Sequence, residues 1–176
     1  IRTEERTIDL PDGGSIYTKI IRHRTNRGAG FGLAVHGSGS VGNHTIVERS
    51  ARWLVDRGLF DAMVLPDRRG CGRSTNWDHA PTLRDQAKDM AHVLDAFDGA
   101  DWTTAMGLSY GGPIVLTLAG MDSRVRRVVL LGSSPTLAQI AWPWRWLIKI
   151  GLVPWIMRRV YRREIGTDEP RDIDFD

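Results

Sequence analysis

One cysteine, Cys71, stands in a chain of 176 residues. An internal disulfide framework is therefore impossible, and a fold held together by cystines is excluded. No run of apolar residues is long enough to span a bilayer, so membrane contact is not expected. The opening Ile1-Arg2-Thr3-Glu4-Glu5 is polar where a secretory leader needs an apolar core, and a cytoplasmic location is the expectation. Residue 1 is Ile rather than Met and is not expected to be a translation start. Charge of one sign is not in marked excess: 24 Lys and Arg against 21 Asp and Glu leave a formal +3. That is too little to argue for nucleic acid without a recognition motif, and the sequence contains none. The most informative scarcity is of histidine. All five, His23, His36, His44, His79 and His92, lie in the first part of the chain.

What is present reads as one globular domain, 41% hydrophobic and 26% charged, so disorder is not indicated. Thr7 to Leu10 and Ser15 to Ile21 are β-type runs around Pro11-Asp12-Gly13-Gly14, a hairpin signal. Phe31 to Val35 has the short apolar pattern of a buried strand and ends in the polar loop His36-Gly37-Ser38-Gly39-Ser40. A helix is expected from Thr45 to Arg57, with Ile46, Ser50, Trp53 and Leu54 on one face and Gly58 as its stop. Ala62 to Leu65 is the next strand. Thr82-Leu83-Arg84-Asp85 then opens a helix as a capping box, with the apolar stripe Leu83, Ala87, Met90, Leu94 and Phe97 and with Gly99 as its end. Thr103 to Leu108 is a strand, Tyr110 to Ala119 a helix with Pro113 in its first turn, and Val125 to Leu131 a sixth strand. Strands alternating with helices predict an α/β fold around a mostly parallel sheet flanked by helices. Residues 1–134 are expected to form this core. From residue 135 the pattern changes and no further strand is expected.

Gly107-Leu108-Ser109-Tyr110-Gly111 matches G-x-S-x-G. The bare pattern is weak, but here an apolar strand runs straight into it and a small-residue helix runs straight out. Such a turn lifts a serine Oγ clear of the sheet, and its flanking positions crowd backbone so closely that glycine fits where a Cβ does not. Ser109 is therefore the candidate nucleophile. An oxyanion formed there needs two backbone donors. Tyr110 is expected to give one, and the loop after Val35 the other, with Ser38 first and Gly39 second. His36, at a strand end, is expected to bond loop backbone rather than move protons. Gly37, Gly39, Gly107 and Gly111 are expected as supports of the loop and the elbow.

The order His36-Gly37-Ser38-Gly39, Asp67-Arg68-Arg69-Gly70-Cys71-Gly72-Arg73-Ser74 and Gly107 to Gly111, each after a strand, resembles the α/β-hydrolase fold family from the opening hairpin to Ser134. Asp67 to Ser74 is most similar to the D-x-R-G-x-G-x-S loop of proline iminopeptidases and small esterases. There Arg69 and Asp67 would tie strand end to turn. The iminopeptidase pattern has H-G-G-P-G where this chain has His36-Gly37-Ser38-Gly39-Ser40, and often tryptophan where Tyr110 stands. Peptidase activity is thus the runner-up to ester hydrolysis. A dehalogenase would carry Asp in place of Ser109. The resemblance implies a serine hydrolase without cofactor or metal, acting on a small-molecule ester with an apolar acyl or aryl group.

The family's triad runs Ser, acid, His, and here no histidine follows Ser109. The position after the sixth strand reads Gly132-Ser133-Ser134-Pro135, without a carboxylate. His44, His79 and His92 are expected as surface residues. The resemblance therefore implies a fold cut short after its sixth strand, with the acid and the histidine beyond Asp176. A non-catalytic, truncated or degenerate hydrolase is the alternative. An open sixth strand would make the chain alone unstable or prone to aggregate. Residues 135–176 are expected to begin a helical cap. Trp142, Trp144, Trp146 and Trp155 are four of the seven tryptophans, and six Lys and Arg stand against Glu164 between Thr136 and Ile165. Cap packing with a solvated basic face is the simplest reading, an aromatic roof over the site the next, and an interfacial helix the last. Oligomeric state is not legible.

Overall fold

The computed structural model describes residues 1–37, 42–97 and 99–133. The chain divides into two compact units, Ile1–Leu137 and Ala138–Asp176, and the described residues lie in the first. The segment expected as a cap lies outside them. In chain order the elements are β1 (Arg2–Asp9), β2 (Ser15–Arg22), β3 (Phe31–Val35), α1 (Thr45–Asp56), β4 (Ala62–Pro66), α2 (Leu83–Asp95), β5 (Trp102–Leu108), α3 (Gly111–Ala119) and β6 (Arg127–Leu131). They form one sheet of order β1-β2-β4-β3-β5-β6. β4, β3, β5 and β6 run parallel, and β2 joins β4 antiparallel. This is the expected mostly parallel α/β architecture.

The hairpin is longer than its alternation suggests, because β1 pairs with β2 from Arg2↔Arg22 to Asp9↔Ser15. Arg2 to Thr7 are exposed throughout, so no hydrophobic period marks them. Their order comes from the ladder to β2, whose Ile16, Tyr17, Ile20 and Ile21 are buried. Charged residues on such an edge also discourage pairing with other chains.

The central strands are buried on both faces, and alternate residues feed two cores. Leu33, Val35, Val64 and Ala105 pack with Ala87, Met90, Leu94, Ile114 and Leu118 of α2 and α3. Ala34, Met63 and Leu65 pack with α1 on the other face. The side of α1 that does so is Val47, Ala51 and Val55; of the expected Ile46, Ser50, Trp53 and Leu54, only Leu54 packs against this core, partly buried. Ile46 and Trp53 are 44% and 54% exposed. Two apolar stripes compete on this helix, and the smaller side chains win because they let its axis come close to the sheet. Trp53 instead lies under the Arg57 guanidinium, 5.0 Å from the ring centroid. The start of α2 follows its sequence closely: Thr82 Oγ1 accepts from Asp85 N–H and the Asp85 carboxylate accepts from Thr82 N–H.

The connections from β3 to β4 and from β4 to β5 lead to opposite sides of β3. Strand order thus reverses at the crevice beyond the carboxyl ends of β3 and β5, the place where open α/β sheets bind ligands. At the far side of β5, β6 has a strand neighbour on one side only among the described residues, with Leu130 and Leu131 more than a third exposed.

Candidate active site

Ser109 follows β5 directly, at that reversal. Its φ is +50°, the only positive value at a non-glycine residue among the described residues. An L-residue there costs about 1–2 kcal/mol, so the surroundings must hold it. They do so through its backbone. Ser109 N–H donates to Leu131 O at 2.9 Å, and its carbonyl accepts from Gly112 N–H at 3.0 Å and from the Ser133 hydroxyl at 2.6 Å. Two glycines make the turn possible. A Cβ on Gly107 would stand 2.5 Å from the Gly111 carbonyl oxygen and 2.6 Å from Gly112 Cα, and one on Gly111 would collide with the Val35 carbonyl oxygen. Strand β5, helix α3 and the end of β3 meet with no room for side chains between them.

Tyr110 is the N-cap of α3. Its amide stands at a helix N-terminus, where no intrahelical acceptor exists and the dipole is positive. Its phenol oxygen accepts from Gln86 Nε2 at 3.0 Å, and the Arg68 guanidinium lies 5.2 Å from its ring centroid. Gly37 comes up from β3 to the same point: a Cβ there would be 3.0 Å from Ser109 Cβ and 3.6 Å from Ser109 Oγ. The backbone after β3 therefore passes beside the serine hydroxyl. Ser38 and Gly39, the expected second donors, lie outside the described residues.

His36 is fully buried. Its Nδ1–H donates to Gly37 O at 2.9 Å and its Nε2 accepts from Arg68 N–H at 3.1 Å. Burial, reinforced by the Arg68 charge, pushes its pKa down to about 4, so the ring is neutral near pH 7. Both nitrogens are committed to backbone, which leaves neither for Ser109. His44, expected at the surface, is buried instead. Its N–H and Nδ1 both reach Asp67 Oδ1, at 2.7 and 2.8 Å. The sequence could not show this, because twenty-three positions separate the partners. Burial pushes the Asp67 carboxyl up, but the His44 side chain and the amides of Arg73 and His44 outweigh it and hold the carboxyl below its usual range. His79 pairs with Asp78 and His92 with Asp95, both at exposed positions. Among the described residues no histidine is hydrogen-bonded to Ser109.

Asp67 does tie the end of β4 to the turn, through Arg73 N–H at 2.9 Å. Arg69 does something different: it joins Asp89 of α2 and Asp12 of the hairpin turn. The residue that sequence reasoning overlooked is Arg68. Its guanidinium is buried and donates to His36 O at 3.2 Å, Gly37 O at 2.7 Å and Gln86 Oε1 at 2.7 Å. One cation thus fixes the loop beside Ser109 and, through Gln86, the side chain of Tyr110. Two consecutive arginines gave no sign of which one turns inward.

A strained serine at a helix N-terminus, with a second backbone segment against its hydroxyl, can present an oxygen nucleophile and amide donors to one carbonyl group. The family model described as the alpha/beta hydrolase fold matches residues 62–175, and the chain belongs to that family. No curated protein matches the sequence. Three solved structures illustrate the likeness. An esterase from Exiguobacterium antarcticum is 22% identical, with a TM-score of 0.62 over 74% of this chain and 46% of that one. The haloalkane dehalogenase DatA from Agrobacterium tumefaciens is 21% identical, with a TM-score of 0.61 over 74% and 41%. A proline iminopeptidase-related protein from Thermus thermophilus is 20% identical, with a TM-score of 0.61 over 76% and 45%. The chain spans less than half the length of each, and at these identities the likeness is one of fold.

Proposed function

We propose that Ser109 is the nucleophile of a serine hydrolase that cleaves small carboxylic esters through an acyl-enzyme. The observation that carries the reading is the strained φ of Ser109, held by Leu131, Gly112 and Ser133 at the strand-order reversal. Strain of this kind persists only where other contacts over-determine it, and it concentrates at functional sites. In this reading Ser109 Oγ attacks the ester carbonyl carbon. The carbonyl electron pair moves onto oxygen, where the Tyr110 amide and an amide of the loop after Gly37 receive it. Collapse expels the alcohol, which takes up the proton lost by Ser109. Water then releases the acid by the same route.

The proton needs a base, and His36 and His44 are committed elsewhere. The triad acid and histidine are assigned to chain outside these 176 residues, which agrees with the partial span of the solved relatives. An apolar acyl or aryl group is the proposed substrate feature. The test is hydrolysis of a short-chain aryl ester and of a proline arylamide by the natural protein, with Ser109→Ala as control. Ester turnover lost in the variant supports the reading; arylamide turnover alone would favour a peptidase. A second reading is a non-catalytic member that kept the fold, and no turnover of either compound would support it.

A further inference from the structure

At the opposite end of the sheet from Ser109, where β3, β4 and β5 begin, lies an open cleft of about 790 Å³. Its floor is aromatic: Phe31 and Phe97 stand 6.4 Å apart and both pack on Trp102. Over these rings lie two guanidinium groups, Arg22 at 4.9 Å from the Phe31 centroid and Arg6 at 5.3 Å from that of Phe97. Arg24 adds a third guanidinium to the wall, with His23 beside it.

Among the described residues the carboxylates lining the cleft are already engaged. Both Asp61 oxygens accept backbone amides, of Arg27 and Gly30, and Asp101 pairs with Arg126. Arg6 uses one nitrogen on Ala96 O, and Arg22 uses its Nε on Glu4. Among the described residues Arg24 has no ion-pair partner. Among the described residues most of the guanidinium donors of Arg6, Arg22 and Arg24 are therefore uncommitted, and two of the three forks lie over rings. A fork fixed in this way loses little freedom on binding and matches the two-oxygen geometry of a phosphate or carboxylate.

We propose that this cleft binds a small polyanion carrying two or more phosphate or carboxylate groups, apart from any chemistry at Ser109. The inference does not depend on the function proposed for Ser109. Calorimetric titration of the full chain with pyrophosphate, and separately with citrate, tests it and tells the two anion chemistries apart. One-to-one binding of either anion is expected. Arg24→Gln should weaken it about tenfold, and Arg22→Gln with Arg24→Gln further, since each removes charge-assisted hydrogen bonds. Arg57→Gln on α1 removes the same charge elsewhere and should leave binding unchanged. Because Arg24 is exposed and unpaired among the described residues, its substitution tests binding without testing folding. Absence of binding to both anions, or equal weakening by Arg57→Gln, overturns the proposal.

Discussion

The Ser133 hydroxyl donates to the main-chain carbonyl of Ser109 at 2.6 Å, so a residue just past β6 grips the turn that β5 makes into α3. A Cβ on Gly112 would fall on that same Ser133 side chain. Ser133→Ala should destabilise the fold by about 1 kcal/mol, the usual net worth of such a bond. Gly112→Ala should cost more in the parent than in a Ser133→Gly background, because the clash partner is gone there. Urea denaturation of the four proteins measures this coupling; additive effects would mean that the two residues do not share the space the structure gives them.

The positive φ of Ser109 sets stability against the proposed nucleophilic role at one position. Ser109→Gly relieves the strain and should be about 1 kcal/mol more stable than Ser109→Ala, which keeps it. Both lack the hydroxyl and should be equally unreactive. Equal stability of the two variants would show that the turn relaxes and stores no strain.

Arg68→Met should be among the most damaging single changes in the described fold. It leaves the His36 and Gly37 carbonyls and Gln86 Oε1 without their donor, at a cost of about 3 kcal/mol. Arg68→Lys should recover little of it, because one ammonium cannot span three acceptors arranged around a planar fork. A midpoint for Arg68→Lys close to the parent in urea would contradict the clamp.

Acid should weaken the fold through His36. Its folded pKa is about 4, against an ordinary value near 6.5 in the unfolded chain. Between these values the unfolded chain takes up a proton that the folded one refuses. Stability is thus full above about pH 6.5, falls as pH drops toward 4, and the whole effect amounts to about 3 kcal/mol. Asp89 works the other way: burial raises its carboxyl pKa despite the pull of Arg69, so its contribution weakens as pH rises. The sign is therefore read by comparing the parent with His36→Gln. Urea midpoints at pH 7, 5.5 and 4.5 should converge as pH falls; parallel curves would mean His36 titrates normally.

Most of the architecture was legible because the central strands are short apolar runs and α2 announces itself through Thr82 and Asp85. The elbow was legible because Gly107, Gly111 and Ser109 answer one steric demand within five positions. What escaped were relationships between distant segments. β1 begins among charged residues whose order comes from β2, and α1 offers two apolar stripes that only packing can rank. His44, Arg68, Gln86 and Ser133 meet partners that local pattern does not link to them. Such contacts are set by how the sheet is wound, and no periodicity encodes them.

The central claim is that Ser109 is a nucleophile. The natural protein should be treated with a fluorophosphonate and the modified peptide mapped by mass spectrometry, with Ser109→Ala as control. A single adduct on Ser109, absent from the variant, is the predicted result. No adduct, or an adduct on another residue that survives Ser109→Ala, would contradict it.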